Sequence, residues 1–444
     1  MRPDSLSHIR QWAYSLARSS LRSLGSLGDA VVVLVIPAVA AAQIVIPSDN
    51  PSIRQALERI KTTNAWTLEQ QSSICEIPAP GFKEQLRGAE FRKRLAAIGY
   101  ANARVDAIGN VIAERPGTGG GPTVMIAGHL DTVFPEGTNV KVRREGDKFS
   151  APGIGDDCRG LASVLAVARA LNEARVVTTG RVILVGDVGE EGAGNLRGVR
   201  HLLTGEFKGK VDYFISVDGL GHSVVNREVG SKRFRVKFTG PGGHSYGAFG
   251  MPSAIHAMGR AIAGIGELQV PTTPKTTYNV GVVTGGTSVN TIAGEAAMDV
   301  DMRSESAQAL DQVETAIRRA VDAGLAAENA RWPKSGAKIA VKFDTIGIRP
   351  VPTAPETDAT PIVKTALDAA RVLGQPTVTS TGSTDSNIAQ NLGVPAITIG
   401  GGGRGGGAHA LEEWYQDGPD GYKGPQWALL IVTALAGMGR TVTP

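Results

Sequence analysis

Short apolar runs alternating with helical patterns predict an α/β protein with a doubly wound, mostly parallel sheet, interrupted by a smaller α+β segment. Three observations carry this. The runs Thr123–Ala127, Arg181–Val185, Tyr213–Val217 and Pro395–Ile399 are nearly continuous in apolar residues, as strands covered on both faces are. Helical segments separate them, one at Gly160–Ala174 and a second after Asn195. From Gly230 the texture changes: Lys232–Phe238 alternates at period two, and strands and helices follow in groups rather than in turn. Glycine, 57 of 444 residues, is about twice its usual share and supplies many tight turns.

Each part of the chain fits this plan. Arg2, Arg10, Arg18 and Arg22 precede the apolar run Ala30–Pro37 and the small residues Ala38–Ala42, which reads as a signal peptide over 1–42 cleaved before Gln43. The run is too short to span a bilayer, and no later segment is long and apolar enough to do so. Residues 43–229 form the first part of the larger domain. It opens with a helical pattern at Ile53, Leu57 and Ile60, breaks at Ile77–Gly81 and resumes over Leu86–Ile98. The insert, 230–343, continues after its first strand with a helix over Ser253–Ile265, strands over Thr277–Val283 and Glu295–Met302, and a helix over Ala307–Ala327. Residues 344–444 return to the first texture, with a helix over Thr360–Leu373 before the last strand.

Composition removes several classes of function. With 42% hydrophobic and 20% charged residues the chain is neither disordered nor a polytopic membrane protein. Its 46 basic and 42 acidic residues are not clustered, so nucleic acid is not an expected partner. The two cysteines, Cys75 and Cys158, allow at most one bridge, and the sequence leaves open whether it forms.

Five polar clusters follow the strand-like runs or open the helix between them: Gly128–Thr132, Gly155–Cys158, Gly189–Gly192, Asp218–Gly219 and Ala408–Glu412. In an open parallel sheet, ligands bind beyond the carboxyl ends of the strands, so these clusters converge in space. Imidazole and carboxylate donors together suit zinc, cobalt or manganese, and a shared carboxylate holds two such ions about 3.5–4 Å apart. The glycine run Gly400–Gly407 lacks the ending of a phosphate-binding loop and is read as the backbone approach that carries His409.

With these clusters the chain resembles the M20 family of metallopeptidases, which includes deacylases and desuccinylases. The resemblance rests on His129-Leu-Asp131 with Thr132-Val133, Gly153–Asp157, Glu190-Glu191, Asp218, Gly243-His-Ser245 and His409. It implies a hydrolase with two zinc ions per subunit (cobalt or manganese in their place), a catalytic domain and a lid, and a homodimer through the lid. Carried over, Asp156 bridges the metals, His129 and Asp218 complete one, and Glu191 and His409 the other. Glu190 is the general base acting on a metal-bridging water, and Asp131 orients His129 from behind. Sequence alone does not separate Asp156 from Asp157. In the insert, His244 matches the residue that donates to the oxyanion, often from the partner subunit, and Asn290 and Arg303 match those that bind the substrate's carboxylate.

The expected activity is that of a secreted or periplasmic metallo-exopeptidase acting on short peptides. The alternative is an amidohydrolase that removes an acyl group from an N-acyl amino acid. A non-catalytic binding protein of the same fold is a third reading, against which the intact Glu190 argues.

Overall fold

The four runs expected as buried strands are neighbours in one sheet of the computed structural model, which describes residues 44–439. The signal-peptide reading over 1–42 lies outside the described residues. Strands Val182–Asp187, Val124–His129, Tyr213–Val217 and Ala396–Ile399 lie side by side and parallel, with every residue of the first two buried. Val111–Arg115 and Arg104–Val105 extend one edge antiparallel; Ser223–Glu228 and Val378–Gly382 complete the other. The fold is therefore α/β with a mostly parallel sheet.

Helix Cys158–Glu173 packs on this sheet and is buried on nearly every face, because the C-terminal helix Lys423–Ala436 and the helices Pro51–Thr62 and Asn64–Cys75 cover its outer side. The helical pattern expected ahead of Ile77 is two helices broken at Thr63; the first is capped by Asn50, whose Oδ1 accepts from the Ser52 amide at 3.0 Å. The core joins Phe91, Leu95, Ile126, Leu161, Leu165, Leu184 and Trp427, each worth roughly 1.5–3 kcal/mol of burial. Trp427 keeps its indole N–H satisfied on the Ala366 carbonyl at 2.8 Å. A disulfide joins Cys75 to Cys158 across the helix ends, with 5.5 Å between the Cα atoms.

The insert is a four-stranded antiparallel sheet, ordered Thr276–Gly285, Glu295–Ser304, Gly230–Thr239, Ala340–Arg349. Helices Ala254–Gly266 and Ala307–Arg331 back it, enclosing a separate core around Phe234, Val236, Met298, Val300, Leu310 and Ile317. The helices meet at Gly324, where a Cβ would stand 2.6 Å from the Ala261 amide nitrogen. The expected end of the insert at 343 falls inside the strand Ala340–Arg349. Its alternation fades at a register shift between Thr345 and Gly347, yet pairing continues to Arg349 opposite Ser231. No helix among the described residues is long and apolar enough to cross a membrane.

Candidate metal centre and active site

The convergence of the polar clusters follows from strand register. His129 ends its strand opposite Asp187, which ends the neighbouring strand and leads into Glu190 and Glu191. On the other side Asp218 follows Tyr213–Val217, its amide donating to Ile399 at 3.0 Å. Asp156 precedes helix Cys158–Glu173, and His409 sits in the loop beyond the short strand Arg404–Gly406, with a left-handed φ of 67°.

Ligand-type atoms of His129, Asp156 and Glu191 lie within 4.8 Å of one another. One oxygen of Asp156 meets His129 Nε2 at 2.9 Å and the other meets His409 Nε2 at 3.3 Å, while His409 also reaches Glu191 at 3.1 Å. The two aspartates face different partners. Asp157 turns the other way, accepting from the His129 and Gly160 amides at 2.9 Å each as the cap of the helix. Asp218 stands outside the tight group. Burial pushes its carboxyl well up, and the charges of Asp156, Glu190 and Glu191 push the same way.

The imidazole of His129 is oriented from behind. Its Nδ1 lies 3.1 Å from the Asp131 carbonyl oxygen, which only accepts, so Nδ1 carries a hydrogen and Nε2 is the nitrogen turned towards Asp156. The Asp131 carboxylate is 3.6 Å away and is engaged elsewhere: it accepts from the amides of Gly189, Glu190 and Glu191 at 2.9, 3.1 and 3.0 Å. Asp131 thus orients His129 through its main chain and holds the glutamate loop with its side chain. Burial opposes the charge on His129, but Asp131 and Asp156 overrule it and hold the imidazole well above its ordinary value. Asp156 and Glu191 push His409 up to about 10. The donor set, two imidazoles among crowded carboxylates, fits a pair of divalent cations of the zinc, cobalt or manganese kind.

Glu190 is buried beside Glu191 but faces differently. Arg349 Nη1 donates to its Oε1 at 2.8 Å, and Nη2 donates to its carbonyl. Burial raises the Glu190 carboxyl, and Arg349 partly offsets this. Arg349, at the end of the last insert strand, was not singled out by the sequence. The segment Thr381–Asn387 supplies Ser383 as acceptor for Arg349 at 2.8 Å. It also supplies Asn387, which donates to Val229 and Pro350 at 3.0 Å each, where the chain crosses into and out of the insert.

The insert candidates are not brought to this cluster within one chain. His244 is exposed, its Nδ1 accepting from the Tyr246 and Gly247 amides at 3.2 Å each. Asn290 is its neighbour, the carbonyl accepting from Ser245 at 2.9 Å and the side chain from Ser288 at 2.6 Å. Arg303 lies at the opposite end of strand Glu295–Ser304, about 26 Å along at roughly 3.3 Å per residue. There it pairs with Asp301 at 2.9 Å and lines a cavity of about 270 Å³ with Lys275, Thr277 and Thr381–Ser383. Asn290 and Arg303 of one chain therefore do not share a carboxylate.

A parallel sheet with carboxylates and imidazoles at its carboxyl ends, beside an α+β insert, is the kind of site that holds divalent metal ions. The chain belongs to peptidase family M20/M25/M40, whose profile it matches over residues 125–426. It is 24% identical over 298 residues to the uncharacterised protein YqjE of Bacillus subtilis, covering 66% of this chain and 76% of that one. Aminopeptidase PepT of Bacillus cereus superposes with a TM-score of 0.64 at 19% identity, covering 86% of this chain and 99% of that chain. YxeP of Bacillus subtilis, a dinuclear metal-binding peptidase, does so with a TM-score of 0.59 at 20% identity over 84% and 98%.

Proposed function

We propose that the protein is a zinc-dependent exopeptidase of short peptides, carried by one observation: each oxygen of Asp156 faces a different imidazole while Glu190 stands beside them and outside the ligand group. In this reading His129, Asp156 and Asp218 hold one ion, and Asp156, Glu191 and His409 the other. When bound, the two ions supply Lewis acidity to the scissile carbonyl and to the attacking water. Glu190 takes a proton from that water on its carboxylate and returns it to the leaving amine; burial favours uptake, and the charge of Arg349 opposes it. Arg303 and Lys275 offer positive charge to the substrate's free carboxylate.

His244 and Asn290 complete the site from a second copy of the chain, the insert of one protomer serving the sheet of its partner. Their exposure and their distance along the strand from Arg303 support this arrangement. Export through the 1–42 leader belongs to the same reading and is supported by the Cys75–Cys158 disulfide, since such bonds persist in oxidising compartments.

A panel of dipeptides and N-acyl amino acids, assayed with and without a chelator and with zinc added back, tests this function. Chelator-sensitive cleavage of dipeptides is expected. Preference for the N-acyl half would replace the peptidase by the amidohydrolase, and no cleavage of either after zinc addition would leave a binding protein.

A further inference from the structure

Glu413 has no part in the site as read from the sequence, where the last polar cluster ends at Glu412. In the fold it is buried, with 2% of its surface exposed, and its carboxylate closes over the loop that carries Asp156. Oε2 accepts from the Gly153 amide at 2.7 Å; Oε1 accepts from the amides of Gly155 and Asp156 at 2.8 and 2.9 Å. The approach needs glycine beneath it: a Cβ on Gly155 would stand 3.0 Å from Oε1, and Gly153 has a φ of +80°. Glu413 lies four residues after His409, in a turn closed by its own amide on Ala410 at 3.1 Å and by Ala410 on Gly407 at 2.8 Å. Its carbonyl accepts from Ala151 at 3.0 Å, tying the same two loops a second time.

Asp131 has the same construction on the other side of the cluster, a buried carboxylate over three amides of the Gly189–Glu191 loop. Bonds from amides to a carboxylate are charge-assisted and directional, so each clamp fixes a loop rather than merely filling space. The clamp at Glu413 spans two ligand loops at once.

We propose that Glu413 is a positioning residue for the metal centre: it fixes the Asp156 carboxylate relative to the His409 imidazole by holding both loops on one side chain. The inference rests on the reading of this cluster as a metal centre. Glutamine at 413 would present an NH₂ group to amide donors and lose part of the clamp, and alanine would lose all of it.

The test is zinc affinity of the full mature protein, measured by competition with a chromophoric chelator, for wild type, E413Q and E413A, with circular dichroism to check folding. Removing such an outer partner weakens metal binding roughly 10–100-fold. That loss is expected in both folded variants, larger in E413A, with kcat lowered and KM little changed. Wild-type affinity in a folded variant would overturn the proposal. A wild type that takes up no zinc would instead overturn the metal reading on which it stands. Should both variants fail to fold, hydrogen exchange on the wild type decides: the amides of Gly153, Gly155 and Asp156 are expected to be strongly protected, and exchange at the rate of an open loop would overturn the clamp.

Discussion

The sheet-end cluster and the insert carry comparable candidate residues but are built differently. Asp156, Glu190 and Glu191 sit on loops whose amides are gripped by buried carboxylates, and His129 ends the strand beside them, with ligand-type atoms of His129, Asp156 and Glu191 brought together. His244 and Asn290 lie on an exposed turn held only by local bonds, at the far end of the strand from Arg303. One chain thus brings candidate metal ligands together by itself. The groups proposed to recognise the substrate lie at surfaces, where a second copy or a closing motion would deliver them.

The largest effect expected from this contrast is at Glu190. E190Q should lower kcat by roughly 10²–10⁴-fold with metal still bound, as steady-state kinetics and elemental analysis together would report. Loss of the metal would erase the distinction between base and ligand. H244A should lose roughly 10²–10³-fold in kcat if it serves an oxyanion. Because that service is assigned across a dimer, mixing the inactive E190Q and H244A proteins should restore about a quarter of wild-type activity through hybrid dimers, each with one intact site. No recovery on mixing and re-equilibration would place His244 in its own chain's site or in none.

Cradle and insert also differ in their response to pH and to substrate charge. In the cradle His129 and His409 hold their protons above the ordinary histidine range when no metal is bound, so zinc must displace a proton from each. Zinc affinity should therefore rise with pH across the neutral range and fall as pH is lowered, which isothermal titration in buffers of different ionisation enthalpy would detect as proton release. Affinity independent of pH would remove the histidines as ligands. In the insert, R303A should raise KM roughly 10-fold or more for substrates with a free carboxylate and leave amidated ones unchanged. Equal effects on both would take Arg303 out of carboxylate recognition.

Much of the cradle was legible in the sequence because its residue types are chemically marked and fall at the ends of apolar runs. His129, Asp218 and the Glu190-Glu191 pair are placed by strand position alone. What was not legible depended on direction. Asp156 and Asp157 are adjacent and alike, and only their bonds in the fold separate them, Asp157 to the His129 and Gly160 amides and Asp156 to the two imidazoles. Glu413 resembles Glu412 beside it, yet one points into the loop of Asp156 and neither residue type nor spacing says which. Arg349 lay beyond the expected end of the insert because a register shift hid the last turn of its strand. Asn290 and Arg303 looked like partners because the family resemblance gives both to the substrate's carboxylate, whereas Arg303 lies near the far end of the strand Glu295–Ser304 that Asn290 precedes. The small sheet of Arg143–Glu145, Lys148–Ser150, Arg404–Gly406 and Trp414–Gln416, which supports the His409 loop, has strands too short and polar to announce themselves.

The most direct measurement of the central claim, that these loops form a two-metal cradle in which Glu190 is the base and not a ligand, is elemental analysis of the purified protein and its D156N and E190Q variants after equilibration with zinc. About two ions per chain are predicted for wild type and E190Q, with D156N losing most of both because it serves each ion. Wild type without metal, or D156N with its full complement, would contradict the account.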